Sequence, residues 1–231
     1  MRIIAGTARG RQIETPKGTD TRPTLDRVRE NVFNILYNRV LDARVLDLFA
    51  GSGAMSMEAL SRGAAFAVLG DKSREANRVE KQNIEKLGFQ DRTKVILGDW
   101  KKTVALLEGE QFNLIFLDPP YAMRDMREVM TRLQPLMAEN AWLLVEHEAK
   151  ADIASAQGFQ RFDRRSWGYC GYSFYLWKWR DESVCRHDSK YILKTFNNLI
   201  DSNEALVAEF ERRLNDKDVC VSYIKYNDNT G

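Results

Sequence analysis

The sequence predicts an α/β fold, a mostly parallel, doubly wound sheet closed by an antiparallel hairpin. From Arg44 onward, short apolar runs alternate with amphipathic stretches, the rhythm of parallel strands joined by right-handed helical crossovers. Around Gly168 and Gly171, two strand-like runs then follow one another with no helix between them, so they must pair antiparallel. A glycine-rich turn, Gly51-Ser52-Gly53, falls where the first alternating strand hands over to a helix, the place where such sheets bind ligands.

Each element has its own signal. Residues 2–5 and 11–14 read as short strands around Gly6-Thr7-Ala8-Arg9-Gly10. Residues 24–40 read as a helix, with Pro23 and Thr24 at its start and Leu25, Val28, Val32, Ile35 and Leu36 on one face. Strands are expected at 44–49, 65–70, 93–98, 112–117 and 140–147, and helices at 54–63, 73–87, 101–108, 124–136 and 149–156. The closing hairpin is expected at 159–167 and 171–179. Beyond Arg180 the pattern reads helix, helix, strand (190–200, 203–215, 218–226), following a complete domain.

A chain of 231 residues, 44% hydrophobic, suits one α/β domain with a small appendage. The start, Met1-Arg2-Ile3-Ile4, lacks the long apolar stretch of a secretion signal, and no segment approaches the roughly 18 apolar residues needed to span a bilayer. Cys170, Cys185 and Cys220 show no metal-ligand spacing, so a reduced, cytoplasmic chain without structural zinc is expected. The net charge of +2 is unevenly spread. Residues 1–40 hold eight Arg/Lys against four Asp/Glu, whereas residues 181–231 hold seven against ten. The basic arm is a candidate phosphate-binding surface.

Asp47-Leu48-Phe49-Ala50-Gly51-Ser52-Gly53 ends the first alternating strand and opens a helix. Glycine at 51 and 53 lets the backbone turn sharply and approach a ligand. Asp71, 20 residues after Gly51, closes the second strand, where a carboxylate can accept from ribose hydroxyls. Asp99 closes the third and could accept from an adenine amino group; its plainer role is a helix cap. A dinucleotide site would want a third glycine where this chain has Ser56. A sulfonium nucleoside has no pyrophosphate and does not need that close helix contact.

Asp118-Pro119-Pro120-Tyr121 follows the apolar run Phe112–Leu117 and is the most specific short signal in the chain. An exocyclic amino nitrogen is a poor nucleophile because its lone pair is delocalised into the ring. Two acceptors holding its hydrogens, the Asp118 carboxylate and a backbone carbonyl at Pro119, would aim that lone pair at a methyl sulfonium. The prolines fix the backbone and remove competing donors, and Tyr121 could stack on the base. An activated methyl donor needs no metal and no covalent nucleophile. Among other residues, His147 beside Glu146 reads as a strand-end surface histidine. Trp142, Trp177 and Trp179 read as packing, and Met123, Met126 and Met130 as packing or a lid.

Residues 1–180 as a whole resemble the RsmD family, S-adenosylmethionine-dependent methyltransferases of guanine N2 in small-subunit ribosomal RNA. The arm carries the most telling match: Arg2-Ile3-Ile4-Ala5-Gly6, Arg9-Gly10-Arg11, Thr21-Arg22-Pro23-Thr24, Arg29-Glu30 and Phe33-Asn34-Ile35-Leu36. It continues through residues 47–53, 58–64, Gln82-Asn83, 118–121 and Trp167-Gly168. The resemblance implies a Rossmann-like methyltransferase fold with a seven-stranded sheet. It implies a basic RNA-binding arm at 1–40, a methyltransferase domain at 41–180 and an extension at 181–231 that it does not cover. S-adenosylmethionine would contact Asp47, Phe49, Ala50, Gly51, Ser52, Gly53, Asp71, Lys72, Asp99 and Trp100. Asp118, Pro119, Pro120 and Tyr121 would carry the chemistry. Arg9, Arg11, Arg22, Thr24 and Arg29 would grip RNA in an assembling 30S particle, with neither membrane nor metal involved. This chain departs from the family pattern at Ser56, at Gly70-Asp71 and at Trp100. The rival readings are an adenine-N6 methyltransferase using the same motif and a non-catalytic rRNA-binding assembly factor. A protein glutamine methyltransferase would be expected to carry Asn in place of Asp118.

Overall fold

The computed structural model describes residues 1–16, 23–120, 123 and 126–178, with residues 23–25 described for backbone only. These lie in the first of two compact units of the chain, Met1–Trp179. Arg22, Tyr121, the side chain of Thr24, Trp179 and the elements expected in 181–231 fall outside the described residues.

Helix α1 (Pro23–Leu36) precedes the alternating region. There follow β1 (Arg44–Asp47), α2 (Ala54–Ser61), β2 (Phe66–Asp71), α3 (Arg74–Leu87), β3 (Thr93–Leu97), α4 (Trp100–Leu106), β4 (Phe112–Leu117), α5 (Arg127–Leu133), β5 (Met137–Glu148), β6 (Phe159–Trp167) and β7 (Cys170–Trp177). The seven strands form one sheet in the order β3-β2-β1-β4-β5-β7-β6. The first five are parallel, and β7 inserts antiparallel between β5 and β6. The chain leaves β1 toward β2 and β3, then returns to β4 on the other side of β1. That reversal opens a crevice beyond the carboxyl ends of β1 and β4. No helix among the described residues is long and apolar enough to cross a membrane.

Two apolar cores flank the sheet. One joins α1 and the arm to α2 and α3 through Ile3, Ile13, Val32, Phe33, Leu36, Met57 and Leu60. The other packs Trp100 of α4 and Val129, Met130 and Leu133 of α5 against Leu46, Ile115 and Leu143. Each large side chain removed from water in this way contributes about 1.5–3 kcal/mol.

The arm is therefore part of the domain core rather than a separate body. The expected hairpin at 2–5 and 11–14 reduces to a single antiparallel bridge, Arg2–Gln12. Ile3 N donates across it to Arg11 O (2.9 Å), Gly10 N to Ile3 O (2.8 Å) and Ile13 N to Met1 O (3.0 Å), while four other backbone donors of the arm bind α2. Ile4 N and Ala5 N donate to the Glu58 carboxylate (2.8 and 3.0 Å), Thr7 N to Ser61 O (2.8 Å) and Ala8 N to Ser61 Oγ (2.9 Å). Gly6 makes this approach possible: a Cβ there would lie 1.8 Å from Ser61 O.

The helix expected at 149–156 does not form. β5 continues to Glu148, and the carbonyls of Ala149, Ala151 and Ile153 accept from Arg164 and from the Tyr175 hydroxyl in place of a helical ladder. His147 is likewise not a surface residue. It is 4% exposed, with Nδ1 2.8 Å from Glu148 O and Nε2 2.9 Å from Ser173 Oγ. Because a carbonyl only accepts, Nδ1 carries the proton, and burial holds the pKa of the ring below its ordinary value.

Candidate active site

A cleft of about 540 Å³ opens at the carboxyl ends of β1, β2, β3 and β4. Its walls bring together nine of the residues singled out from sequence: Phe49, Gly51, Asp71, Lys72, Asp99, Trp100, Asp118, Pro119 and Pro120. Leu48, Gly98 and Met123 complete the lining. Asp47, Ala50, Ser52 and Gly53 build the loop without lining the cleft.

The loop is held by side chains on both sides. Gly51 N donates to Asp71 Oδ2 (3.0 Å), and Ser73 N donates to Asp71 Oδ1 (2.8 Å), so Asp71 ties the glycine turn to the start of α3. Asn83 Nδ2 donates to Ser52 O (2.9 Å). Gly53 lies at φ 77°, and a Cβ there would come within 2.8 Å of Leu69 Cδ2. Asp47 is 2% exposed and accepts from Ser56 Oγ at 3.0 Å. Ser56, one of the departures from the family pattern, thus donates to a buried carboxyl that has two further acids, Asp71 and Glu80, within electrostatic reach. Burial nevertheless pushes the Asp47 pKa up to about 7. Asp99 caps α4, accepting from Lys102 N at 2.8 Å, and at the same time faces the cleft.

Asp118 follows β4 directly and projects into the cleft. The residue is exposed to the cleft, yet the surrounding protein desolvates its carboxyl, and that, followed by the Glu146 and Asp47 carboxylates, holds its pKa well above the ordinary range. Glu146 is also raised, by burial above all. From sequence, Glu146 stands out only as a neighbour of His147. Its connection to the site depends on the β5–β7 register, which sets Glu146 opposite Tyr172.

The arm's cations divide. Arg29, expected to grip RNA, is 4% exposed and instead anchors α1: it bonds Arg2 O, pairs with Asp26 (3.0 Å) and lies 3.6 Å from Glu58. Arg11 reaches the last carbonyls of α3, Leu87 O at 3.2 Å and Lys86 O, a favourable place for a cation. Arg9 is exposed and borders an open groove of about 450 Å³ together with Arg2 and Arg27, which the sequence did not single out.

A doubly wound sheet with an antiparallel terminal strand pair, a glycine turn after β1 and Asp-Pro-Pro after β4 defines a methyltransferase of the Rossmann-like class. Comparison with known proteins agrees. The family described as "Conserved hypothetical protein 95" matches residues 1–176. Ribosomal RNA small subunit methyltransferase D of Escherichia coli (strain K12) is 38% identical over 146 residues, covering 63% of this chain and 71% of that protein. YlbH of Bacillus subtilis (strain 168) is 32% identical over 180 residues, covering 76% and 98%. The solved structure of yhhF from Escherichia coli superposes with a TM-score of 0.68 at 32% identity, covering 78% of this chain and 99% of that one. The chain belongs to the RsmD family and is a methyltransferase.

Proposed function

We propose that this protein transfers the methyl group of S-adenosylmethionine to the exocyclic N2 of a guanine in small-subunit rRNA, within an assembling 30S particle. One observation carries the reading. The Asp118-Pro119-Pro120 loop is the wall between the cleft, which offers nucleoside-binding carboxylates, and a second cavity that shares Pro119, Pro120 and Met123 with it. A base entering that second cavity would present its amino group at Asp118.

The residues present fit the methyl donor. Asp71 and Asp99 offer carboxylate oxygens to hydroxyl and amino groups, and Trp100 and Phe49 offer apolar surface to a purine ring. When bound there, S-adenosylmethionine would supply an activated methyl on a sulfonium centre. Asp118 accepts one amino hydrogen of the target and the Pro119 carbonyl the other, which turns the nitrogen lone pair toward the cleft. As the nitrogen gains positive charge the two acceptors strengthen, so they stabilise the transition state more than the ground state. Arg9, Arg2 and Arg27 offer the RNA backbone exposed cations along a groove that Asp26 and Glu30 also line, and Arg22 and Thr24 are assigned to RNA and Tyr121 to the target base from the sequence. The names of relatives such as ribosomal RNA small subunit methyltransferase D support rRNA as the substrate.

Incubation with a tritiated methyl donor is expected to label small subunits more than naked rRNA and to leave DNA unlabelled. Nuclease digestion should return N2-methylguanosine. Label recovered as N6-methyladenosine would replace this reading with the adenine one, and cofactor binding without any label would leave a non-catalytic assembly factor.

A second expectation concerns Asp71. It holds the glycine turn and would meet the ribose, so Asp71→Ala should weaken S-adenosylmethionine binding by about 1–3 kcal/mol. Unchanged affinity by calorimetry would move the ribose contact elsewhere, with Glu75 next in line.

A further inference from the structure

The second cavity beside the catalytic loop has a volume of about 350 Å³, and Glu146 forms part of its wall together with Pro119 and Pro120. Glu146 lies near the carboxyl end of β5, directly opposite Tyr172 of β7. The buried Tyr172 hydroxyl donates to Glu146 Oε2, so the carboxylate is held from behind by a group that cannot swing away. It also lies close enough to Asp118 for its charge to act on that residue. Strands β4 and β5 are parallel neighbours with Leu117 opposite Val145, so the two carboxylates, Asp118 and Glu146, follow side by side as the next residue of each strand. The chemistry assigned to Asp118 leaves the second one without a role.

We propose that Glu146 reads the Watson–Crick edge of the target base, accepting the N1–H of guanine while Asp118 accepts a hydrogen of N2. The inference rests on the guanine-N2 reading above and says how that site selects its base. Guanine presents N1–H and N2–H₂ side by side, an unbroken row of donors that matches two neighbouring carboxylates. Adenine places an N1 lone pair beside its amino group, and a fixed carboxylate repels it. 2,6-Diaminopurine separates the two effects, because it keeps the N2 amino group and replaces N1–H by a lone pair. A site built to accept a hydrogen bond strongly rejects an analogue that lacks the donor. Tyr172 occupies only part of the carboxylate, which has about four acceptor positions. The structural alternative is that Glu146 simply ties β5 to β7 through Tyr172.

The experiment uses the full chain and small subunits reconstituted with guanosine, 2,6-diaminopurine riboside or adenosine at the methylated position. Single-turnover methyl transfer is followed for the wild type and for Glu146→Gln. The wild type is expected to methylate guanine at least roughly tenfold faster than 2,6-diaminopurine, the discrimination of a well-made base contact. In Glu146→Gln the guanine rate falls and the ratio drops to within a few-fold of unity, because the amide can donate to an N1 lone pair. S-adenosylmethionine affinity should not change. Equal wild-type rates on guanine and 2,6-diaminopurine overturn the assignment of Glu146 while leaving guanine N2 as the target, and this comparison needs no variant. A Glu146→Gln protein with lowered melting temperature and an unaltered ratio also overturns it, in favour of the strand-tying role. Methylation of the adenosine subunits alone overturns the guanine reading itself, and this inference with it.

Discussion

Asp118→Ala is expected to lower the rate of methyl transfer by roughly 100-fold or more, the loss that follows removal of one preorganised transition-state acceptor. Asp118 is placed by β4 in the cleft, next to the proline pair that the cleft shares with the second cavity. The loop that carries it is stiffened by Pro119 and Pro120, so truncating the carboxylate leaves the loop path intact. S-adenosylmethionine affinity should change little, because the carboxylate that holds the glycine turn is Asp71 and not Asp118. The wild-type rate should also depend on pH in a definite direction. Desolvation and the Glu146 charge hold Asp118 protonated above the usual carboxylate range. A protonated acid is the poorer acceptor, so the rate should fall as the pH drops through the raised pKa and level off above it. Single-turnover measurements across pH check both points. An alanine variant within a few-fold of the wild type would remove Asp118 from the chemistry.

What the sequence made legible is what local spacing encodes. Strands β1 to β4 were visible as apolar runs, and the glycine turn, Asp71, Asp99 and Asp118 all fall at strand ends, which is where the sheet delivers them to one cleft. What stayed hidden depends on long-range pairing. The arm reads as a hairpin locally, yet the backbone donors of Ile4, Ala5 and Ala8 bond Glu58 and Ser61, more than 50 residues away. Arg29 reads as one more surface cation until Glu58, fully buried and also paired with Arg62 at 2.7 Å, turns it inward. Residues 149–156 have helical composition, but β6 and β7 side chains bind their carbonyls. Glu146 gains its meaning from Tyr172, 26 residues downstream, through a strand register that no periodicity reveals.

Replacing Glu80 by glutamine should remove much of the pH dependence of stability between about pH 4.5 and 8. Glu80 lies on α3, fully buried, and neither carboxylate oxygen has a hydrogen-bond partner among the described residues. Burial, together with the Asp47 and Asp71 carboxylates, raises its pKa from 4.5 to about 8, with Lys81 opposing weakly. Asp47 is raised to about 7 by its own burial, against the Ser56 hydrogen bond. Both groups hold a proton more tightly in the folded chain than in the unfolded one. Between about pH 4.5 and 8 the folded state therefore binds more protons, and stability falls as the pH rises through that window. The protection is complete below the unfolded-state values and is gone once Glu80 ionises. Glutamine keeps the shape and cannot ionise. The variant should thus gain on the wild type by roughly 2 kcal/mol or more between pH 5 and pH 8, since a tenfold change in proton affinity corresponds to about 1.4 kcal/mol. Asp47 remains and keeps a smaller slope of the same sign. At pH 5, where Glu80 is already neutral, the two proteins should differ by much less. Urea midpoints for both proteins at pH 5 and 8, without cofactor, measure the change. Parallel curves would mean that Glu80 is ionised in the folded protein at pH 7, with a counter-charge that its buried position would then have to provide.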